Sequence, residues 1–301
     1  MTDAARTRSG LLMGLGAYTL WGVMPLYFKA VGHVPALEIV SHRVLWSLVL
    51  LAAVATLWKK WARIRTALTT PRVAMILAVT TVLIGINWLV FIYAVVSGHV
   101  LEGSLGYYLN PLVNVLLGVL LLKEKLTGFQ KGAVLLAAAG VAILAAGAGD
   151  ALWISLTLAA SFALYGFVRK VAPVDAIEGL AIETVFLAPF ALAWLIWLQQ
   201  TGQSHFLVDR TTDTLLILGG AVTAIPLLLF TAAARRLRYS TLGFLQYVAP
   251  SLQFLLAVLI FSEPLTAAHL ICFGAIWVAL AVFVSEGVRG ARAAAAAEAA
   301  V

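Results

Sequence analysis

The chain alternates long apolar stretches with short polar segments, and the pattern occurs ten times along its 301 residues. Each apolar stretch is about 20 residues long, the length that an α-helix needs to cross a bilayer. The pattern therefore predicts ten transmembrane helices, at about residues 10–30, 37–57, 73–96, 101–122, 128–147, 150–170, 178–199, 213–234, 240–261 and 266–286.

These stretches lack the alternation of polar and apolar residues that barrel strands show. Because the backbone must satisfy its own hydrogen bonds in lipid, helices are the expected spanning element. The first stretch contains Tyr18, Trp21 and Pro25, and no small-residue cleavage site follows it, which predicts a retained span. The fold class that we expect is an all-α integral membrane protein with ten transmembrane helices.

Composition excludes a soluble fold. Apolar residues make up 63% of the chain, charged residues make up 11%, and the mean hydropathy is +1.02. A soluble domain has about 25% charged residues. The single cysteine, Cys272, excludes a disulfide framework and a metal site built from several cysteines.

The positions of the basic residues predict the orientation in the membrane. With the N-terminus in the cytoplasm, 17 of the 20 lysines and arginines lie in inner segments, whereas Lys29 and Arg210 lie outside and Arg43 lies within a span. This positive-inside asymmetry predicts that both termini are cytoplasmic. The net charge of +7 is dispersed over short loops rather than gathered on one face, which argues against a nucleic-acid partner.

The chain also contains an internal repeat. Polar and special residues recur at an offset of 139 positions, and an offset of 140 pairs Glu38 with Glu178. Since each unit has five spans, the second unit enters the membrane from the opposite side, as in the inverted repeats of secondary transporters. We predict two inverted five-helix units, residues 1–148 and 149–288, and a cytoplasmic tail, residues 289–301. The pairs at offset 139 include Phe91 and Phe230, Tyr108 and Tyr247, Pro111 and Pro250, and Glu124 and Glu263.

Ionisable side chains inside spans are candidates for function because they are costly to bury in lipid. Span 2 holds Glu38, His42 and Arg43, and the first two share a helix face at four-residue spacing. The counterpart of Arg43 in the second unit is Glu183, and the two lie too far apart across the membrane to touch.

We therefore expect Arg43 and Glu183 each to pair with another charged residue. Glu102, at the outer start of span 4, is the expected partner of Arg43, and Arg169 or Lys170 is the expected partner of Glu183. Such pairs act either as gates or as structural clamps, and the sequence leaves both roles open. Proton coupling through Glu183, Glu38 or His42 and facilitated diffusion are equally compatible with it.

Spans 4 and 9 have the densest polar content, with amides at Asn110 and Gln246. A proline inside each span frees a backbone carbonyl about one turn earlier. Freed carbonyls beside amides and tyrosines predict a binding surface near the membrane midplane, and amides that only hold neighbouring helices together are the alternative. We predict helix kinks at Pro25, Pro111, Pro226 and Pro250.

Span 5 carries Ala138, Ala142 and Ala146 at four-residue spacing, a stripe that allows close helix contact and leaves a homodimer open. Motifs of metalloproteases, serine hydrolases and ATP-driven pumps are missing from the sequence. We therefore expect no enzyme activity, no cofactor and no metal, and a gradient or the substrate itself as the driving force.

Six strings make the chain resemble the RarD subgroup of the EamA-type permeases, in the drug/metabolite transporter superfamily. They extend from span 1 to span 9, so the resemblance covers nearly the whole chain. The strings are Trp21-Gly-x-x-Pro25, His42-Arg43-x-x-Trp46, Ser104-Leu-Gly-Tyr107-x-x-Asn110-Pro111, Tyr165-Gly-x-x-Arg169-Lys170, Glu183-Thr184 and Ser240-Thr-Leu-Gly-Phe-x-Gln246-Tyr247.

The resemblance implies a bacterial inner-membrane permease with a central cavity bounded mainly by spans 1, 3, 4, 6, 8 and 9, and it leaves Arg43 and Glu183 at the periphery. Combined with the polar residues of spans 4 and 9, it selects the candidate substrate-binding residues Trp21, Asn87, Trp88, Tyr107, Asn110, Tyr165, Gln246 and Tyr247.

Aromatic walls with amides suit a ligand that has both apolar and hydrogen-bonding parts. We therefore expect a secondary transporter that moves a small amino-acid-like or drug-like molecule through the bilayer by alternating access. A lipid transporter or scramblase, which would show a lateral opening of lipid size, and a membrane sensor without net flux are the alternatives.

Overall fold

The computed structural model describes residues 3–123, 126–148, 151–234, 236 and 245–298, and eleven α-helices occupy most of them. Their bounds are α1 (Asp3–Ala30), α2 (Ala36–Leu57), α3 (Trp61–Thr69), α4 (Pro71–Val96), α5 (Val100–Leu122), α6 (Gly128–Ala148), α7 (Leu152–Val171), α8 (Ala176–Gln200), α9 (Arg210–Ala234), α10 (Val248–Leu255) and α11 (Ala267–Glu298). A π-helical turn, Leu256–Ile260, continues α10.

The expectation of an all-helical membrane protein is confirmed. Seven described helices are long and apolar enough to cross a membrane: α1, α2, α4, α6, α7, α8 and α9. Two further apolar segments, Val248–Ile260 and Ala267–Val282, are shorter. The short helix α3 was not predicted, because its nine residues bury only Ile64 and Ala67 and lack the long apolar signal of a span.

Contacts between helices join the two parts of the chain throughout the bundle. Helix α2 packs against α8 and α9, α7 packs against α4 and α5, α1 packs against α9 and α10, and α6 packs against α11. Glycines permit several of these approaches. A β-carbon added to Gly220 of α9 would lie 2.5 Å from the backbone carbon of Trp46 in α2, and one added to Gly106 would lie 2.9 Å from the carbonyl oxygen of Ser155.

The stripe of small residues predicted on α6 is not the surface that packs inside the molecule. Ala138, Ala142 and Ala146 are exposed, whereas Ala133, Ala137, Gly140 and Leu144 are buried. A β-carbon on Gly140 would lie 2.8 Å from the β-carbon of Ala275 in α11. A second set of small residues on the same helix, Ala133, Ala137 and Gly140, packs inside the molecule instead.

The proline of span 9 also lies elsewhere than expected. Pro250 is the third residue of α10 and follows a turn at Gln246 and Tyr247, so it stands in a first helical turn rather than mid-helix. A first turn tolerates proline because its N–H groups have no partner within the helix. Pro25, Pro111 and Pro226 lie inside α1, α5 and α9. Ser240 and Glu124 lie outside the described residues.

Candidate functional site

A hydrogen-bonded group of polar side chains lies between α4, α5 and α7. The side-chain amide of Asn87 donates to the carbonyl oxygen of Leu158 at 3.2 Å and to Oγ of Ser161 at 3.0 Å. The Tyr107 hydroxyl donates to Oδ1 of the same asparagine at 3.1 Å. Asn87 is 1% exposed, so these bonds satisfy an amide that would otherwise be costly to bury.

Aromatic rings extend this group in both directions. Tyr107 packs edge-on against Phe91 and Phe162, with ring centroids 5.4 Å and 5.8 Å away. The Phe162 ring in turn lies 6.1 Å from the Tyr165 ring. Three of the predicted substrate-binding residues, Asn87, Tyr107 and Tyr165, are therefore connected. Together with Trp88, the residue that follows Asn87 in α4, we call them the central cluster.

Arg43 borders the central cluster from α2. Its guanidinium carbon lies 4.4 Å from the centre of the Trp88 ring, and its Nε donates to Oγ1 of Thr223 in α9 at 2.6 Å. A hydrogen bond to a charged group contributes about 1.5–3 kcal/mol, and a desolvated cation–π contact contributes about 2 kcal/mol. Together they offset much of the cost of placing an arginine in the membrane, about 2.5–3.5 kcal/mol on insertion scales.

The expected ion pair between Arg43 and Glu102 is wrong. Glu102 Oε1 lies 3.5 Å from Nε2 of His269 in α11, and no ion pair joins it to Arg43 among the described residues. The sequence suggested the pair because both residues fall at the outer ends of their spans. Depth along the membrane does not determine which helix faces are neighbours, and α5 packs against α7 and α10 rather than against α2.

Glu183 is fully buried in α8, and three polar side chains contact its carboxylate. Oγ1 of Thr80 in α4 donates to its Oε1 at 2.6 Å, and the Tyr165 hydroxyl donates to its Oε2 at 3.2 Å. Nε of Arg169 lies 3.8 Å from Oε1. Arg169 is one of the two partners that the sequence suggested, and its side chain joins Glu183 to the end of α7.

A glycine makes room for that arginine. A β-carbon added to Gly179 would overlap the guanidinium of Arg169, so this guanidinium lies directly against the backbone of α8. One terminal nitrogen of the guanidinium, Nη2, donates to the carbonyl oxygen of Asp175 at 3.2 Å, and the other, Nη1, is buried without a hydrogen bond. The arginine therefore has one hydrogen bond and one ion pair, and it retains an unused donor.

At one end of the bundle, Glu38 binds the loop between α8 and α9. Its carboxylate accepts the backbone N–H of His205 at 2.8 Å and lies 2.8 Å from the ring nitrogen Nδ1 of that histidine. His42 lies one turn further along the helix and packs against Phe206, with ring centroids 4.7 Å apart, rather than pairing with Glu38. We call this end, with residues 31–35 and 201–209, the His33 end.

The start of α9 is anchored at the same end. Asp209 accepts the N–H and the hydroxyl of Thr212 at 2.8 Å and 3.1 Å, and the same hydroxyl lies 3.0 Å from Nε2 of His33. Stabilisation of the charged carboxylate by the Thr212 N–H lowers the pKa of Asp209 below its usual value.

Glu178 forms the corresponding contact at the opposite end, which we call the Lys60 end, with residues 58–60 and 172–175. Nζ of Lys60 donates to Oε1 of Glu178 at 2.8 Å. Asp175 beside it lies 3.0 Å from Nη1 of Arg63. Glu38 thus binds the loop that follows α8, and Glu178 binds the loop that follows α2.

Among the described residues, the remaining predicted substrate-binding residues make no hydrogen bond or ring contact with the central cluster. Trp21 packs with Tyr18 and Phe230 between α1 and α9, with ring centroids 5.4 Å and 5.7 Å away. Asn110 is buried, and its Oδ1 has no hydrogen-bond partner. Gln246 and Tyr247 form the half-buried turn before α10.

Several polar residues of the site were missed by the sequence analysis. Thr80, Ser161 and Thr223 hydrogen-bond to the central cluster or to the buried charges around it. Threonine and serine occur throughout membrane helices bonded to their own backbone, so their presence alone carried little signal. Within the described part of the chain, no three histidine, cysteine or acidic residues are grouped as metal ligands would be.

Comparison with known proteins shows what this chain is similar to. A model of the EamA-like transporter family matches residues 8–146. An uncharacterised transporter of Vibrio cholerae is 47% identical over 293 residues, which are 97% of each chain. Protein RarD of Escherichia coli K12 is 46% identical over 287 residues, covering 95% of this chain and 97% of its own.

A solved structure resembles most of the fold. It superposes with a TM-score of 0.55 at 21% sequence identity and covers 91% of this chain and 96% of its own. At this identity the likeness concerns the fold alone.

Proposed function

Because the chain belongs to the EamA-like transporter family and is closely related to its RarD proteins, we propose that it is a secondary transporter that moves a small organic metabolite by alternating access. The central cluster with Arg43 and Glu183 is the proposed binding region. The protein is not an enzyme, because the members of this family are transporters.

We further propose that the bundle consists of ten spans in two inverted units, residues 1–148 and 149–288. In this arrangement the helices α1, α2, α4, α5 and α6 of the first unit are equivalent, in that order, to α7, α8, α9, α10 and α11 of the second. The packing of α1 on α9 is therefore equivalent to that of α7 on α4. Likewise, the packing of α1 on α10 is equivalent to that of α7 on α5. Both members of each pair are present, as an inverted repeat requires.

The observation that carries the alternating-access proposal is a pair of hydrogen bonds between the two units. Arg43 of the first unit donates to Thr223 of the second, and Thr80 of the first unit donates to Glu183 of the second. The first bond lies toward the His33 end and the second toward the Lys60 end. Breaking one bond while keeping the other would open the region at one end only.

The orientation follows from the same arrangement and from the distribution of basic residues. We place the Lys60 end and both termini in the cytoplasm of a bacterial inner membrane, since Lys60, Arg63 and Arg169 gather at that end. We assign proton coupling to the carboxylate of Glu183. It is buried and hydrogen-bonded, and the side chain of Arg169 connects it to the Lys60 end. The exposed alanine stripe of α6 is the surface that we assign to a homodimer.

Flux from proteoliposomes tests the function. Vesicles that contain the purified protein are loaded with a bacterial small-molecule extract, and the released compounds are identified by mass spectrometry. We expect release of a limited set of polar organic compounds above the level of protein-free vesicles. Release of nothing beyond that level would contradict transport of metabolites, and scrambling of a fluorescent phospholipid in the same vesicles would favour the lipid-transporter alternative.

A further inference from the structure

The charge of Arg43 is balanced differently from every other buried charge that the structure describes. Each described acidic side chain buried in the bundle lies against a cation, a histidine or backbone N–H groups: Glu38 against His205, Glu178 against Lys60, Glu183 against Arg169, and Glu263 against the N–H groups of Val100 and Leu101. Arg43 is the one lysine or arginine that is buried among the described residues, and no described carboxylate lies within 4.0 Å of it.

The groups that surround Arg43 are neutral. Oγ1 of Thr223 accepts a hydrogen bond from Nε of Arg43, and the centres of the Trp88 and Phe28 rings lie 4.4 Å and 5.8 Å from the guanidinium carbon. It also interacts electrostatically with the hydroxyls of Tyr27 and Tyr107. Aromatic faces attract a cation without neutralising it, so this site keeps a full positive charge.

The guanidinium also has donors to spare. Only Nε forms a hydrogen bond to a described residue, which leaves Nη1 and Nη2 and their fork of N–H groups unused. The two terminal nitrogens of a guanidinium match the two oxygens of a carboxylate in a bidentate arrangement. Arg43 remains 5% exposed, and the Tyr107 hydroxyl with which it interacts donates to the side-chain oxygen of Asn87.

We propose that Arg43 is the anchor for a substrate that carries an anionic acid group, so that the substrate supplies the missing counter-charge of the site. The inference rests on the proposed transport function and adds the chemical class of the substrate. Two oxygens of the acid group bind Nη1 and Nη2, and the organic part of the substrate lies toward Tyr107 and Asn87. Bound substrate would then neutralise a buried charge, which favours binding of acids over neutral analogues.

The alternative role for Arg43 is to hold α2 against α9 through Thr223. Two substitutions separate the roles. Arg43→Gln removes the charge, whereas Thr223→Val removes the hydrogen bond to α9 and leaves the charge in place. Val49→Ala is the matched control, because Val49 is a 60% exposed residue of the same helix.

The test uses proteoliposomes loaded with a bacterial small-molecule extract, at equal amounts of reconstituted protein. We expect the compounds released by the wild type to bear an acid group, and their release to fall at least about tenfold in Arg43→Gln and to stay within about threefold in Val49→Ala. Thr223→Val breaks a hydrogen bond between the units and so changes the rate of release, but the compounds that it releases should still bear an acid group.

Three outcomes would overturn the inference while transport itself stands. They are release of neutral or cationic compounds only, unchanged release of acids by Arg43→Gln, and a loss of the preference for acids in Thr223→Val that equals the loss in Arg43→Gln. Absence of any release by the wild type would instead contradict the transport function on which the inference rests.

Discussion

Tyr108 and Tyr247 stack nearly parallel, with ring centroids 6.4 Å apart and an angle of 18° between the ring planes. They are separated by 139 positions, the offset at which the sequence repeats. In a molecule with two inverted units, equivalent residues meet where the axis between the units passes. The stack therefore supports an axis that runs between α5 and the turn before α10.

Neighbouring hydrogen bonds also join α5 to the start of α10. The Tyr108 hydroxyl lies 2.6 Å from Oγ of Ser251, and Oγ of Ser104 donates to the carbonyl oxygen of Pro250 at 2.8 Å. Ser104 thus binds a carbonyl of the first turn of α10, next to the turn at Gln246 and Tyr247. Side chains of α5 hold the start of α10 in place.

Removing either hydrogen bond between the units should open the end at which that bond lies. Thr223→Val should raise hydrogen exchange in residues 31–35 and 201–209, whereas Thr80→Val should raise it in residues 58–60 and 172–175. A bond to a charged group contributes about 1.5–3 kcal/mol, which corresponds to a shift of roughly tenfold or more in the population of the open state. Faster exchange at the same end in both variants would contradict alternating access.

Gly220→Ala should separate α2 from α9. The added β-carbon would lie 2.5 Å from the backbone carbon of Trp46, and backbone atoms cannot move aside as a flexible side chain can. We expect a destabilisation of about 1–3 kcal/mol, as for overpacking in general, measured by thermal unfolding in detergent.

Gly166→Ala is the matched control for this substitution. Beyond the adjacent residues and backbone of α7, no heavy atom of the described residues lies within 4 Å of the β-carbon that it would add, so it should leave stability unchanged or raise it by about 0.5–1 kcal/mol. Equal effects of the two substitutions would show that the contact between α2 and α9 does not depend on glycine.

Glu183→Gln should separate coupled from uncoupled transport. The amide keeps an acceptor for the Thr80 hydroxyl but neither binds a proton nor pairs with Arg169. We expect exchange of labelled substrate between the two sides to persist, and accumulation driven by a pH gradient to be lost. Undiminished accumulation in the variant would remove Glu183 from the coupling step.

Glu263→Ala should destabilise the start of α5. Its two carboxylate oxygens accept the N–H groups of Val100 and Leu101 at 2.9 Å and 2.8 Å, and these N–H groups have no partner within the helix. We expect a loss of about 1–2 kcal/mol in thermal unfolding, with partial retention in Glu263→Gln, which keeps one acceptor. Unchanged stability in both variants would show that water replaces the carboxylate.

Gly179→Ala should displace Arg169 without touching Glu183. The new β-carbon would occupy the position of the guanidinium, so the arginine would have to leave its place on α8. If Arg169 assists release of the proton from Glu183, pH-driven accumulation should fall while exchange persists. Loss of both activities would indicate a structural role instead.

The positions of the helices were accessible from sequence because hydrophobic length is a local property. A stretch such as 73–96 predicts its span without reference to any other part of the chain, and α4 occupies Pro71–Val96. The short helix α3 and the turn at Gln246 and Tyr247 before α10 were not predicted. Helix α3 has no long apolar signal, and the turn lies where side chains of α5 bond to the first residues of α10.

By itself, the sequence determined the all-helical membrane character, the family and the residue types that stand inside the spans, because composition and motif spacing need no partner. Tertiary structure alone decided which charge meets which group. Arg43 lies on Trp88 and Thr223 rather than beside Glu102, and Glu102 lies beside His269. Which side chains meet between helices depends on the rotation of each helix about its axis and on how closely the helices approach at residues such as Gly220. The depth of a residue in the membrane determines neither.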